Sequence, residues 1–401
     1  MGMKLLSILG STGSIGRNCL KVIEEFPADF QVIALAAGSN SRLLSEQIEK
    51  FQPRVVSVST AATAEALRHA IQHLPPARRP KILVGSDGVV EVATHPEANM
   101  LVSAIVGIAG LVPTYEAIRC GKTVALANKE ILVVAGDLVQ KAARKAGVKI
   151  IPVDSEHNAI HQCLRSGGRK EVRRIILTAS GGPFRNFSRK KMETVTPEMA
   201  LNHPTWRMGN RVTIDSATMM NKGFEVLEAH WLFGMPVEKI SVLIHPQSTV
   251  HSMVEFQDGS VIAQLGITDM KHPIQYALTY PKRRSGPGDF LDLENLGKLE
   301  FMRPDLKKFP CLELAYKAAR EQGALPCALN AADEIAVDFF LSGKLPFTAI
   351  SQVVAQMLEL AKGENSFSSV QELLQYDQAI RKESRRLIES NHLIYEKALA
   401  N

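Results

Sequence analysis

Short apolar runs punctuate the first 150 residues: Leu5–Leu9, Val32–Ala36, Val55–Val58, Ile82–Val84, Leu101–Val106, Thr123–Ala127 and Lys149–Val153. Stretches of helical periodicity separate most of them. Near-continuous apolar runs of strand length, set between helices, predict parallel strands covered on both faces. The chain is therefore expected to be an α/β protein that opens with a doubly wound domain over residues 1–150. After Val153 the pattern changes. Arg174–Thr178 and Ile240–Ile244 read as strands and Thr218–Phe233 as a helix. Thr249–Phe256 and Ser260–Leu265 read as a hairpin closed by Asp258-Gly259. Residues 151–280 are expected to form a central α+β domain. Residues 281–310, rich in Pro, Gly and charge, read as a linker. Helical periodicity over Cys311–Gln322, Ala328–Leu341, Phe347–Leu360 and Ser368–Leu399 predicts a C-terminal α-helical bundle spanning 311–401.

Composition narrows the class. A chain of 401 residues has room for two or three domains with sizeable cores. With 45% hydrophobic and 22% charged residues it is neither disordered nor collagen-like. Cys19, Cys120, Cys163, Cys311 and Cys327 form no CxxC pair, which fits a reducing compartment and gives no sign of structural zinc. A net charge of +6 suits anionic small molecules. The basic runs Arg169–Arg174 and Lys282–Arg284 lack interleaved aromatics, so nucleic acid is not expected as a partner. The most apolar stretch, Met100–Val112, is broken by Ser103, Gly107 and Gly110 and falls short of the ~20 residues of a membrane span. The opening residues are too short for an export signal. A cytoplasmic protein beginning near Lys4 is the expectation.

The first chemical signal follows the first strand. Gly10-Ser11-Thr12-Gly13-Ser14-Ile15-Gly16 leads into a helical pattern. Gly10 permits a tight turn, Gly13 lets a pyrophosphate approach the backbone, and Gly16 lets helix pack on strand. The helix start then offers N–H groups and a partial positive charge. In a run of βα units this points to a Rossmann-type dinucleotide site. An NAD site wants an acid at the end of the second strand. Here Gly38-Ser39-Asn40-Ser41-Arg42 offers hydroxyls, an amide and a guanidinium, which suit the 2′-phosphate of NADP. Arg42 is also explained as a solvated residue in a first helical turn.

The second signal is acidic. Asp154-Ser155-Glu156 lies at the carboxyl end of the strand Lys149–Val153. In extended geometry the two carboxylates project to one side and repel unless a cation joins them. Equally, Asp154 and Ser155 are good helix caps. In Asp215–Glu225, Asn221 and Glu225 share a helical face. Ser216, Asn221 and Lys222 supply a hydroxyl, an amide and an ammonium, suited to a phosphate. Glu225 is either a third carboxylate of an oxygen site for Mg²⁺ or Mn²⁺ or one half of a surface salt bridge. Three loops add candidates: Asn128-Lys129-Glu130, Ser180–Phe184 and His203–Gly209. The last joins a histidine, an indole and a thioether, as an apolar lid would over a charged site.

Together these strings resemble those of the 1-deoxy-D-xylulose 5-phosphate reductoisomerase family. GSTGSIG (Gly10–Gly16), LANKE (Leu126–Glu130), PVDSEHN (Pro152–Asn158), SGGPF (Ser180–Phe184), HPTWRMG (His203–Gly209), TIDSATMMNKG (Thr213–Gly223) and IHPQS (Ile244–Ser248) occur in family order. The resemblance implies that Thr12, Gly13, Ser14, Ile15, Gly38, Ser39, Asn40, Asn128, Glu130 and Gly209 contact NADPH. It implies Asp154, Glu156 and Glu225 as ligands of Mg²⁺ or Mn²⁺. Lys129, Ser155, Ser180, His203, Ser216, Asn221 and Lys222, with Glu156 and Glu225, would bind the sugar phosphate. Ser180, Ser216, Asn221 and Lys222 would hold its phosphate. Lys129, Asp154, Glu156, Glu225 and His203 would form the catalytic set, under a lid over residues 203–213. Two positions depart from the family pattern. Ser39 stands where a basic residue is frequent, leaving Arg42 as a substitute, and Arg211 stands where lysine is common.

The resemblance further implies a two-step reaction, rearrangement of the carbon skeleton followed by hydride reduction, and a homodimer, for which the Thr249–Leu265 hairpin is one candidate surface. Two alternatives stay open from the residues. One is a plain NADP-dependent dehydrogenase of a phosphorylated aldehyde, which has no need of three carboxylates. The other is a non-enzymatic dinucleotide sensor.

Overall fold

A computed structural model describes residues 2–206 and 208–391. The chain divides into two compact units. The first comprises residues 2–131, Val139–Asn158 and Asp269–Asp289. The second comprises Leu132–Leu138, Ala159–Thr268 and residues 290–391.

In the first unit, β1 (Lys4–Leu9), β2 (Phe30–Ala36), β3 (Val55–Val58), β4 (Lys81–Val84), β5 (Met100–Ser103), β6 (Thr123–Leu126) and β7 (Ile150–Pro152) form a seven-stranded sheet of order β4-β3-β2-β1-β5-β6-β7. Every neighbouring pair is parallel. Leu6, Ile8, Val32, Leu35, Val56 and Val102 are buried in its core. Each such side chain contributes about 1.5–3 kcal/mol by leaving water. The strand order reverses between β1 and β5. That reversal opens a crevice at the carboxyl ends of the strands, where ligands of such sheets bind. Helices α1 (Ser14–Glu24), α2 (Ser41–Phe51), α3 (Glu130–Ala146) and α4 (Ser155–Cys163) each begin just beyond a strand's carboxyl end.

The helix Lys271–Thr279 also belongs to this unit, not to the central domain of residues 151–280 expected from the sequence. It places Ile274, Ala277 and Leu278 in the same core. Asn158 Nδ2 ties it down by donating to Pro152 O at 2.9 Å and Pro273 O at 3.1 Å.

The second unit holds a mixed sheet of order β11-β10-β8-β9, with β8 Val172–Ala179, β9 Ile240–Ile244, β10 Val250–Phe256 and β11 Val261–Leu265. The β8–β9 pair is parallel and the others antiparallel. The hairpin turn falls at Asp258-Gly259, with Gly259 at φ +86° and Asp258 Oδ1 accepting from Ser260 N at 2.9 Å. The helix expected over Thr218–Phe233 is α6 (Met220–Phe233), and a further helix, α5 (Asn210–Thr218), precedes it. Met219 breaks them by adopting φ +63°. Helix α5 thus takes in residues 210–213, the end of the expected lid.

Helices α7 (Pro310–Glu321), α8 (Leu325–Leu341), α9 (Ala349–Leu360) and α10 (Val370–Ser390) complete this unit. The C-terminal helices and the sheet are therefore one compact body, where the sequence suggested two domains. Gly223 makes the fit of α6 on α7 possible, since a Cβ there would lie 2.4 Å from Ala315 Cβ. The expected continuation of the last helix beyond Asn391 lies outside the described residues.

Candidate active site

The glycine turn is built as its spacing predicts. Gly10 has φ +79°, and a Cβ on it would meet Ala104 O at 2.6 Å. A Cβ on Gly16 would meet Gly10 O at 2.3 Å. Gly13 caps α1 in extended conformation, with Ser14 and Ile15 in the first turn and no acid there. The helix start therefore presents backbone N–H groups and a partial positive charge at the sheet's carboxyl edge, suited to a pyrophosphate. Gly38, Ser39 and Asn40 lie exposed after β2. Asn40 caps α2, its Oδ1 accepting from Leu43 N at 3.0 Å. Arg42 is 93% exposed and 3.6 Å from Glu46 on the same helix.

Asn128 is buried and its side chain is committed to the fold. Its Nδ2 donates to the carbonyls of Ile105 and Gly107, and its Oδ1 accepts from Ile131 N at 3.1 Å. Any contact of Asn128 with a cofactor thus falls to its main chain. Glu130 is buried at the start of α3.

Lys129 and Asp154 come together at the ends of β6 and β7. Lys129 Nζ lies 2.8 Å from Asp154 Oδ2, and each side chain is 11% exposed. The other oxygen, Oδ1, accepts from Glu156 N at 3.1 Å and His157 N at 3.4 Å. Asp154 therefore caps α4, and Glu156 sits in the first helical turn rather than two residues along a strand. That replaces the expected same-side projection, because Ser155 already begins the helix. Ser155 Oγ donates to Glu156 Oε2 at 2.6 Å. The sequence reading overlooked His157, whose Nδ1 is 3.1 Å from Asp154 Oδ1 and which is wholly buried. The signal was available: three residues after a capping Asp, a side chain returns to the cap.

The second unit assembles the phosphate candidates. Beyond β8, Gly181 and Gly182 adopt φ +81° and +67°. A Cβ on Gly182 would lie 2.5 Å from Ser216 O, so only glycine lets this loop sit against the end of α5. Ser180 Oγ accepts from Gly182 N at 3.2 Å and lies 3.1 Å from His203 Nε2. Ser216 Oγ donates to Val212 O at 2.8 Å. Across the Met219 break, Asn221 Nδ2 donates to Glu225 Oε1 at 2.7 Å, and Lys222 Nζ is paired with Glu225 Oε2. Glu225 is buried, so it is no surface salt bridge. Its hard oxygens, like those of Asp154 and Glu156, suit Mg²⁺ or Mn²⁺.

In the 203–209 segment, His203 Nδ1 accepts from Thr205 N at 3.3 Å and Trp206 N at 3.0 Å. Burial holds its pKa below the usual 6.5. Trp206 packs toward His251, ring centroids 6.3 Å apart, a second histidine the sequence reading passed over. Gly209 caps α5. The IHPQS string is structural. His245 Nδ1 donates to Glu300 O at 2.9 Å, its Nε2 accepts from Thr249 N at 3.2 Å, and its ring stacks on Phe301.

Known proteins are similar to this chain over nearly its whole length. The family model described as 1-deoxy-D-xylulose 5-phosphate reductoisomerase matches residues 6–136, the model of its C-terminal domain matches 150–233, and that of the DXP reductoisomerase C-terminal domain matches 265–383. The 1-deoxy-D-xylulose 5-phosphate reductoisomerase of Solibacter usitatus (strain Ellin6076) is 50% identical over 387 residues, 96% of this chain and 97% of its own. That of Geobacter metallireducens (strain ATCC 53774 / DSM 7210 / GS-15) is 51% identical over 386 residues, covering 96% and 99%. Among solved structures, the enzyme from Zymomonas mobilis in complex with NADPH superposes with a TM-score of 0.90 at 43% identity, covering 97% of this chain and 100% of its own. A DOX-P reductoisomerase in complex with NADPH, fosmidomycin and magnesium gives a TM-score of 0.91 at 41% identity, covering 96% and 98%. The chain belongs to the 1-deoxy-D-xylulose 5-phosphate reductoisomerase family.

Proposed function

We propose that this chain converts 1-deoxy-D-xylulose 5-phosphate to 2-C-methyl-D-erythritol 4-phosphate, with NADPH and Mg²⁺ or Mn²⁺, in the non-mevalonate route to isoprenoids. The observation that carries the reading is the α5–α6 segment. There Asn221 and Lys222 meet the buried carboxylate of Glu225, and Gly182, two residues after Ser180, sits against the backbone of Ser216, which supports reading Ser180, Ser216, Asn221 and Lys222 as a phosphate clamp. A plain dehydrogenase has no use for that combination, and neither does a dinucleotide sensor.

The Gly10–Gly16 cradle, which a Cβ would fill, fits a dinucleotide. Thr12, Gly13, Ser14, Ile15, Gly38, Ser39, Asn40, Asn128, Glu130 and Gly209 are assigned to NADPH, with Arg42 offered to the 2′-phosphate in place of a basic residue at 39. Asp154, Glu156 and Glu225 are assigned as cation ligands. When bound, the cation polarises the substrate ketone as a Lewis acid and NADPH supplies hydride. Ser180, Ser216, Asn221 and Lys222 bind the phosphate, giving binding energy remote from the reacting carbons. Lys129, its charge balanced by Asp154, donates to the oxygen on which negative charge develops. Ser155, Glu156 and Glu225 orient the remaining hydroxyls, and His203 acts on the substrate through Ser180. Trp206 and Met208 exclude water when the segment closes.

We assign the working form as a homodimer. Strand β11 is an edge of its sheet and exposes Val261 and Ile262, a surface that a second copy would cover. Among the described residues no helix is long and apolar enough to cross a membrane. The scattered cysteines support a cytoplasmic assignment.

The test follows NADPH oxidation with 1-deoxy-D-xylulose 5-phosphate, and the product by NMR, before and after chelation. The expected result is a branched product, loss of turnover in chelator, and recovery with Mg²⁺ or Mn²⁺. Turnover indifferent to chelator would instead identify a plain dehydrogenase. NADPH binding without turnover would identify a sensor.

A further inference from the structure

Arg211, at the first turn of α5, is held by the C-terminal helices of its own unit. Its guanidinium is 14% exposed and pairs with Glu334 on α8. It also donates through Nη2 to Asn330 Oδ1 at 2.9 Å and lies 3.7 Å from Asp215 on its own helix. Glu334 is shared: its second oxygen pairs with Arg381 on α10. Arg381 in turn donates through Nε to Asp377 Oδ2 at 2.5 Å. The chain Arg211–Glu334–Arg381–Asp377 thus runs from α5 through α8 to α10.

What α5 carries makes this chain consequential. Its N-cap is Gly209, the end of the lid segment, and Ser216 lies at its other end. Ser216 O is the atom that Gly182 must be a glycine to approach. Immediately beyond the Met219 break come Asn221 and Lys222. A helix of nine residues fixed at its first turn is fixed in rotation along its length, and so is the Ser216 it carries. The planar fork of arginine is what lets one side chain meet Glu334, Asn330 and Asp215 at once. An ammonium has the charge without the fork.

We propose that Arg211 is a positioning residue for the substrate's phosphate end, its orientation set by Glu334, so that α8 and α10 fix where Ser216 meets the sugar phosphate. The inference rests on the functional reading above.

The experiment is steady-state kinetics on the full chain with Mg²⁺, NADPH and 1-deoxy-D-xylulose 5-phosphate. Glu334→Gln keeps the side chain's shape and removes its charge. It is expected to raise KM for the sugar phosphate about tenfold, on the order of 1.4 kcal/mol, with kcat and the KM for NADPH within about twofold. Arg211→Met should match it, and Arg211→Lys should fall between. The deciding readout is coupling. In a Ser216→Ala background, Arg211→Met should add little, since its effect is exerted through Ser216. Multiplying effects in the double variant, or a loss of kcat with both KM values unchanged, would overturn the proposal. Should Arg211→Met fail to fold, Asp377→Asn loosens the far end of the chain and must show the same KM split at smaller size. Absence of turnover in the unaltered chain overturns the functional reading. Turnover with an unshifted KM in Glu334→Gln overturns this inference alone.

Discussion

His203 and Ser180 are joined by one hydrogen bond whose direction the surroundings decide. Two backbone N–H groups, of Thr205 and Trp206, point at His203 Nδ1, so that nitrogen must hold a lone pair. The proton of the neutral ring is then on Nε2, which donates to Ser180 Oγ across 3.1 Å. Ser180 Oγ accepts a second bond from Gly182 N, which leaves its own hydrogen to be donated to a phosphate oxygen.

A pH dependence follows. Burial holds the His203 pKa below 6.5, and an imidazolium would turn an N–H against the two N–H groups at Nδ1. Above pH 6.5 the held and the released ring are both neutral and the arrangement is intact. As pH falls from there, the released ring takes up a proton first, and the held arrangement loses stability until its own lower pKa is passed. The sugar phosphate also takes up a proton near pH ~6. The informative quantity is therefore the ratio of KM in His203→Gln to KM in the unaltered chain. The ratio should be several-fold at pH 8 and shrink as pH falls below 6.5. A ratio constant across that range would show that His203 does not titrate with the phosphate site.

Lys129 is expected to matter more to turnover than to cofactor binding. Its ammonium is nearly buried and lies 2.8 Å from the Asp154 carboxylate. Lys129→Met should lower kcat by about 10²–10⁴-fold, the usual cost of losing a positioned proton donor. The same change should leave the Kd for NADPH, read by fluorescence quenching, within about twofold. Lys129→Met and Asp154→Asn each leave the other charge of the pair behind in a nearly dry place, a loss that can reach about 3–5 kcal/mol, so both should lower the melting temperature. A melting temperature unchanged in either variant would contradict the pairing.

Gly16→Ala tests the dinucleotide cradle. The new methyl would fall 2.3 Å from Gly10 O and 2.6 Å from Ser11 Cα, both backbone atoms that cannot swing aside. Forced crowding of this kind costs about 1–3 kcal/mol. Because the turn must open to relieve it, the NADPH affinity should fall by at least tenfold. A variant that binds NADPH as tightly as the parent would remove the turn from the cofactor site.

Much of this was legible in the chain because local rules suffice for it. The seven parallel strands follow from apolar runs between helices, and the glycine turn from the geometry that only glycine allows. Three things were not legible, each for a physical reason. Periodicity over Lys271–Thr279 says that one face is buried, and it is silent on what buries it; the answer is α1 with β6 and β7 of the first unit. At Asp154 the choice between strand and cap rests on one residue's ψ, and the two readings differ only in where Glu156 points. The network around Arg211 joins residues more than a hundred positions apart, and charge pairing at that distance leaves no spacing to read.

The break at Met219 was hidden for a related reason, and it yields the last prediction. Helical periodicity over Thr218–Phe233 carries no glycine or proline near its start, yet Met219 takes φ +63°. A side chain in that region costs roughly 1–2 kcal/mol, which glycine would recover. Met219 is only 1% exposed, however, and deleting a buried methionine side chain loses about 2–5 kcal/mol. The larger effect wins, so Met219→Gly should lower the melting temperature even though it relieves the backbone. Met219→Asn, which tolerates the left-handed region but is polar, should be no better. The consequence for catalysis is separate from stability. The break swings Asn221, Lys222 and Glu225 out of line with Ser216, so Met219→Pro, which cannot adopt a positive φ, should raise KM for the sugar phosphate well beyond what Met219→Gly does. Kinetics and melts on these variants at matched folded fraction separate the two effects. A Met219→Gly chain more stable than its parent would show that backbone strain, not packing, dominates at this position.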